Sequence, residues 1–564
     1  MTSNPPAIVI LGPGSLATAR RIQQRYPDAL IHGLAGRVEG ADRQYLEFGA
    51  TLRELYQHDT PIIALCAAGI VIRTLAPLLL EKGVEPPVLA VAEDGSAVVP
   101  LLGGLGGVNV MARDIAQTLQ VAPAITTSGE LRFGTCLLNP PSGYRLGDLE
   151  QGKRFVSDLL AGETVRIEGA APWLDQAQLP EDGQARLAIR IDSAAGTPAV
   201  DELRIYPRNV VVAISAGALP AISESLREAG LAVQSLACLL AADSDMARPE
   251  LHETASALNV PLRFVPASGD VAQWLNETLG QPASIRTVGE HAIAVTELPL
   301  DSQQIGRPRG RLAVIGLGPG AAELMVPAVR AELDRATDVL GYETYVRMAG
   351  PFRADQVQHC TDNREEMQRA RHAFELAAQG RSVVVVSSGD PGVFAMAAAV
   401  LEALHESTDA HWHTVDLQIL PGVSASLATA AQAGAPLGHD FCVMSLSDNL
   451  KPWSIIEKRL DLAAEADLAL AFYNPISRSR PWQLGRALEI VAHHRTAQTP
   501  VVLGRDIGRP GQTLRVTTLG ALTPDQVDMR TMVLIGSSTT CLFPRASGGN
   551  WVYTPRWYGH KPAS

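Results

Sequence analysis

Three short glycine-rich turns carry the chemistry this sequence could do. The first, Gly316-Leu317-Gly318-Pro319-Gly320, closes an apolar run, Leu312–Leu317. Glycine permits positive φ and lets a ligand approach the backbone closely. The spacing is not G-x-G-x-x-G, and Pro319 lacks an amide proton, so a pyrophosphate cradle is disfavoured; a tight strand-to-helix turn is the plain reading. The second turn is Ser387-Ser388-Gly389-Asp390-Pro391-Gly392-Val393-Phe394-Ala395-Met396. Two glycines and a proline there fix the backbone around one carboxylate at a strand's C-terminal edge, where open α/β sheets bind ligands. Asp390 serves equally as a cap for the next helix. The third, Pro421-Gly422-Val423-Ser424-Ala425-Ser426, brings small residues into a helix. Three such turns on successive strand ends would line one crevice.

The elements that must position these turns alternate along the second half of the chain. Strands are predicted at Leu312–Leu317, Val383–Ser387, Leu417–Leu420, Cys442–Leu446, Leu468–Tyr473 and Val501–Leu503, with helices such as Arg364–Gln379 and Ser454–Glu465 between them. That alternation predicts an α/β domain with a largely parallel sheet. The runs Thr513–Thr518 and Met532–Gly536 have less helix between them, so the last sheet should be mixed. A linker, Leu298–Gly310, precedes all of this: it is polar and carries two prolines and two glycines. In the first half, Ala7–Leu11, Ile62–Cys66 and Val88–Val91 read as strands and Ser15–Tyr26 and Val108–Leu119 as helices. A proline- and acid-rich stretch, Pro140–Glu202, separates them from the strand Val210–Ile214. The expected division is modules at 1–138, 139–207 and 208–298, a linker at 299–310, and a domain at 311–564 whose two lobes meet near 425–440.

Composition excludes several classes. At 564 residues the chain is too long for one core. The net charge of −12 disfavours nucleic-acid binding, although a local arginine cluster could still hold an anionic small molecule. The N-terminus has no basic region before its short apolar run, and the longest apolar stretch, near Leu65–Leu80, is broken by Arg73 and Pro77. Neither a signal peptide nor a membrane span is expected, and a cytoplasmic protein is. The six cysteines form no C-x-x-C pair, which argues against disulfides, zinc and iron–sulfur clusters. His411 and His413 flank Trp412 in a polar loop and His493-His494 ends a helix, so no metal is expected.

In their order and spacing, the three turns resemble the tetrapyrrole methylases, the class III S-adenosylmethionine-dependent methyltransferases. The segments PLGHDFCVMSLSDNLKPWSIIEKRL (436–460), AFYNPISRSRPWQL (471–484) and YTPRWY (553–558) are similar to the precorrin-3B C17-methyltransferases within that family. The resemblance implies a two-lobed α/β fold, a homodimer, and S-adenosylmethionine held between the lobes. Residue by residue, Gly316, Gly318, Pro319 and Gly320 match the first methylase signature. Gly389, Asp390, Pro391, Val393, Phe394, Ala395 and Met396 match the loop around the cofactor. Ser424 and Ala425 match the turn facing its adenosine end, and Tyr473 and Asn474 the second-lobe strand beside the pocket. The implied reaction methylates a polycarboxylate macrocycle and contracts it, moving protons. Asp390 and His439 are the candidate acid–base groups, with a capped turn the alternative for His439. Lys451, Arg478 and Arg480 are the candidate carboxylate clamps, or else a solvated basic loop.

In the first half, LCAAGIVIRTLAPLLL (65–80), LLGGLGGVNVMARDIA (101–116) and AITTSGE (124–130) resemble the cobalt-precorrin-5A hydrolases, which open a lactone and release acetaldehyde. Departures are plain. The family's SGHLGGAN reads GGLGGVN here, without the histidine; its TTATD reads Thr126-Thr127-Ser128-Gly129-Glu130. Its Gly-Cys turn reads AISAGALP (213–220), and the segment DSDMARPELHE (243–253) has no lysine. The expectation is a degenerate region that binds or scaffolds, with an active hydrolase as the alternative.

Overall fold

The computed structural model describes residues 4–79, 85–214, 222–266, 269–353, 355–362, 365–546 and 548–558. The chain divides into two compact units, Met1–Gly310 with Pro351–Gln356, and Arg311–Gly350 with Val357–Ser564.

The first unit holds three sheets. One has the strand order Arg43–Tyr45, Leu30–Leu34, Ala7–Ile10, Ile62–Leu65, Val88–Val91, Val98–Leu102, with only the last pair antiparallel. Its central strands are buried runs of isoleucine, leucine, valine and alanine, so both faces need covering. Ile8 and Ile10 pack with Ile22 and Ile115 on one side, and Val9 packs with Leu52 and Val71 on the other. The stretch read as a separator folds into a second sheet, Tyr144–Leu146, Glu202–Pro207, Leu187–Ile191, Val165–Glu168. The third has the order Leu262–Val265, Leu236–Ala242, Val210–Ile214, His291–Thr296, Ala283–Val288. Most of the expected turn at 213–220 (residues 215–220) lies outside the described residues.

In the second unit the first lobe is a wholly parallel sheet ordered Val357–Thr361, Asp338–Tyr342, Ser382–Ser387, Arg311–Gly316, Asp416–Leu420. Its register sets Gly316 beside Ser387 and Ile315 beside Leu420, so the three glycine turns leave the sheet at one edge. Two of its strands escape the sequence pattern. Asp338–Tyr342 begins on a carboxylate that is fully buried, and Val357–Thr361 is a half-exposed edge strand. The Asp338 carboxylate joins them by accepting from Arg381 Nε (2.6 Å) and Nη2 (2.7 Å), His359 Nε2 (2.9 Å) and Thr337 Oγ1 (2.6 Å).

The second lobe is mixed. Phe441–Ser445 runs parallel to Ala469–Tyr473, and Thr531–Ile535, Pro500–Arg505 and Thr513–Thr518 follow antiparallel. Gly434–Ala435, Asn550–Tyr553 and Cys541–Pro544 make a small third sheet. Among the described residues no helix is long and apolar enough to cross a membrane, and no cluster of three or more His, Cys, Asp or Glu could hold a metal ion.

Candidate active site

The three turns pack backbone against backbone. Gly318 donates to the Gly389 carbonyl (3.1 Å), and Gly389 donates back to that of Gly318 (2.8 Å). Both have positive φ, +72° and +70°. A Cβ on Gly316 would lie 2.8 Å from the Gly422 nitrogen, and one on Gly422 would lie 2.6 Å from the Gly316 oxygen. Real Cβ atoms do not approach that closely, so glycine is needed at 316 and 422 for space and at 318 and 389 for φ.

Asp390 sits among them as a staple. Its Oδ1 accepts from the Gly392 amide (2.8 Å) and its Oδ2 from the Gly422 amide (3.0 Å). Each carboxylate oxygen therefore holds a loop, one its own and one 32 residues away. The acid–base candidate is therefore engaged on both oxygens by backbone donors, and it shapes the two loops. Pro391 is buried, Val393 donates to the Asp390 carbonyl (3.2 Å), and Ala395 is the extended N-cap of the helix Met396–Glu406. Met396 is buried, its sulfur 3.2 Å from Arg369 Nη1.

Phe394 is the outlier. Its φ is +53°, a region that bulky residues enter only under strain, and the residue is 52% exposed. Tyr473 meets that ring edge-on at 5.4 Å, and Lys451 Nζ stands 5.9 Å from its centroid. Burial, with Arg459 adding to it, pulls the Lys451 ammonium below the usual lysine value. The Tyr473 hydroxyl accepts from the Ser426 amide and donates to Ser426 Oγ, both at 3.2 Å. Ser424 caps the helix Ala425–Ala433, its Oγ accepting from the Leu427 amide (3.4 Å) and lying 3.0 Å from Ser426 Oγ. Asn474 also has positive φ, +50°, which asparagine tolerates, and its side chain donates to Ser445 Oγ (3.1 Å).

The predicted clamps separate. Arg478 is exposed and Lys451 half-buried beside Phe394. Arg480 is buried and donates from Nη1 to the Asn474 carbonyl (2.9 Å), so it holds the Asn474 turn and is no carboxylate clamp. His439 is not brought to the site. It precedes the strand Phe441–Ser445, whose opposite end lies beside Tyr473. At about 3.3 Å per residue, the four steps along that strand alone make roughly 13 Å. His439 Nδ1 accepts from the Asp440 amide (2.8 Å), and the ring meets Tyr558 edge-on, the capped-turn alternative.

A precorrin-3B C(17)-methyltransferase from Sinorhizobium sp is 50% identical to this chain over 249 residues, covering 44% of this chain and 97% of that protein. The chain belongs to the tetrapyrrole methylases. The family described as Tetrapyrrole (Corrin/Porphyrin) Methylases matches residues 311–523, and one described as Cobalamin synthesis G N-terminal matches residues 50–130. The cobalamin biosynthesis protein CobIJ of Mycobacterium tuberculosis strain H37Rv is 47% identical over 44% of this chain, and the match spans only 48% of that protein. A probable cobalt-factor III C(17)-methyltransferase from Salmonella typhimurium is 42% identical over 41% of this chain and 93% of its own length. This tetrapyrrole methylase is S-adenosylmethionine-dependent, as its family is.

Ser388 and Ser426 lie in the glycine turns but sequence reasoning gave them no role, and it did not single out Arg509 of this methylase at all. Arg509 lies 190 residues from Pro319, whose carbonyl it reaches, and nothing local marks it. In the first unit the hydrolase-like residues close on one another. Asn109 Nδ2 donates to Thr127 Oγ1 (3.0 Å) and Glu130 Oε1 (2.6 Å), and Arg113 pairs with the other oxygen of the buried Glu130.

Proposed function

We propose that this methylase transfers a methyl group from S-adenosylmethionine to C17 of precorrin-3B and contracts the ring to precorrin-4, in cobalamin biosynthesis. The observation that carries the reading is 50% identity along nearly the whole of a relative bearing that name. The higher identity to that relative than to the cobalt-factor enzyme, 50% against 42%, favours the metal-free substrate.

The turns fit a sulfonium donor. It carries no phosphate, so it needs close backbone approach and carbonyl oxygens more than cations, and Gly316, Gly318 and Gly422 leave backbone where a side chain would intrude, with Gly389 at positive φ beside them. The proposed cradle is Gly316, Gly318, Pro319 and Gly320, the loop Gly389–Met396, Ser424 and Ala425, with Tyr473 and Asn474 beside it. When bound, S-adenosylmethionine supplies an electrophilic methyl group. The protein's part is to hold donor and acceptor in line and to exclude water. Lys451 and Arg478 would pair with carboxylates on the macrocycle's rim.

We propose further that the first unit binds or scaffolds and no longer hydrolyses a lactone. The Glu130 carboxylate is engaged by Asn109 and Arg113, and the family's histidine and lysine are absent from the sequence. A cytoplasmic homodimer completes the proposal. The exposed Phe543, Trp551 and Tyr553 of the small sheet supply an apolar face suited to a second copy.

The test incubates the intact chain with S-adenosylmethionine and precorrin-3B and follows the tetrapyrrole by mass spectrometry. Gain of one methyl group with the optical change of a contracted ring is expected. A chain that binds S-adenosylhomocysteine but leaves precorrin-3B unmethylated would sink the C17 reading. Acetaldehyde released from cobalt-precorrin-5A would overturn the reading of the first unit.

A further inference from the structure

Arg509 belongs to the second lobe, yet its side chain ends on the first. Its Nε donates to the Pro319 carbonyl (2.9 Å) and its Nη2 to Ser388 Oγ (3.0 Å). Pro319 lies in the first glycine turn, and Ser388 opens the second. One planar guanidinium thus ties two signature turns of one lobe to a loop of the other. The fit leaves no slack: a Cβ on Gly320 would lie 2.6 Å from Arg509 Cγ, and one on Gly508 would lie 3.0 Å from Pro319 Cγ. Burial pushes the Tyr345 phenol up, while the Arg509 charge beside it pulls the other way.

The loop that delivers Arg509 turns through three left-handed residues. Asp506 is a buried non-glycine residue at φ +51°, and Gly508 and Gly511 both stand at +79°. The Asp506 carboxylate accepts from Arg505 Nη1 (2.9 Å) and Arg530 Nε (2.7 Å), and its carbonyl accepts the Arg509 amide (2.9 Å). The Gly508 amide donates to Gln512 Oε1 (2.9 Å). Two arginines and a glutamine on the same lobe hold this turn, and what the turn delivers is the cross-lobe contact.

We infer that Arg509 is a positioning residue for methyl transfer, a latch that sets the shape of the cofactor cradle and the registration of the two lobes above it. The inference rests on the cradle proposed above. Two acceptors at fixed separation need a fork, and lysine, a point donor, satisfies one of them. In-line transfer is sensitive to displacement of about 1 Å, which can cost on the order of 100-fold in rate.

The test uses the full chain as wild type, Arg509→Ala and Arg509→Lys. S-adenosylhomocysteine affinity is measured by calorimetry, and kcat and KM are measured with precorrin-3B per cofactor-binding site. Arg509→Ala should weaken S-adenosylhomocysteine about 10-fold and lower kcat about 100-fold. Arg509→Lys should recover part of both, and added guanidinium ion should raise kcat of the alanine variant several-fold. A lower melting temperature with unchanged affinity and unchanged kcat per site would overturn the latch. So would a raised tetrapyrrole KM at constant kcat, which would mean that Arg509 binds substrate instead. The affinity arm needs no tetrapyrrole. If the wild type binds S-adenosylhomocysteine without methylating precorrin-3B, the C17 reading falls while the affinity arm still judges the latch.

Discussion

Phe394 shows what a single residue in the wrong conformation implies. A bulky side chain at φ +53° costs about 1–2 kcal/mol, and the residue is half exposed. Neither cost is repaid by a core. Phe394→Gly should therefore leave thermal stability within about 1 kcal/mol of wild type, where removing a core phenylalanine costs about 3–5 kcal/mol. Methyl transfer should fall at least about 10-fold, with the melting temperature and the initial rate measured on the same preparation. A large stability loss would show that the ring is structural. That the glycine turns, Asp390, Phe394 and Tyr473 come together was legible in the sequence because each lies in a short local motif at a strand end. Arg480 and His439 misled for a physical reason: residue type suggests a chemistry, but burial and strand direction decide whether it can be used. Arg509 was illegible because its partners are distant along the chain.

At the scale of elements, the strands that carry the glycine turns were readable from their valine and isoleucine runs. Asp338–Tyr342 was not, because a buried carboxylate opens it, and two tertiary partners, Arg381 and His359, with the neighbouring Thr337, make that burial tolerable. The four strands between 144 and 207 were hidden by the proline- and acid-rich loops that join them. Where strand ends converge, tolerance vanishes. Gly422→Ala would push a methyl group against the Gly316 and Gly389 carbonyls, so a loss of about 3 kcal/mol together with loss of S-adenosylhomocysteine binding is expected, read by thermal melting and calorimetry. The first sheet should be acid-sensitive through His32. Burial, with the charge of Arg43, lowers its pKa to about 4, against the opposing pull of Asp42. Unfolded, it takes up a proton near pH 6.5; folded, it does so only near 4. Its contribution is thus complete above about pH 6.5, is lost as pH falls towards 4, and amounts to roughly 3 kcal/mol. His32→Phe should flatten the melting temperature of the first unit across that window, and an unchanged slope would refute the assignment.

For the whole molecule, each unit has its own hydrophobic clusters, Ile8, Ile63 and Ile115 in one and Leu470, Phe472 and Val533 in the other. Residues 311–564 expressed alone should fold and methylate with a kcat within a few-fold of the full chain, since the match to the methylase family lies within them. A large fall would make the first unit part of the catalytic machinery. The cradle of Gly316, Gly389 and Gly422 has a further consequence for anyone wishing to transfer groups larger than methyl. A binding site walled by side chains can be enlarged by trimming them, but here the walls at the turns are main chain, which point mutation cannot shave. Room for an ethyl or allyl sulfonium analogue must come from Phe394, Ser424 or Tyr473, the positions where the proposed wall is a side chain. A library aimed at Gly316 or Gly422 would push each new side chain into the facing main chain.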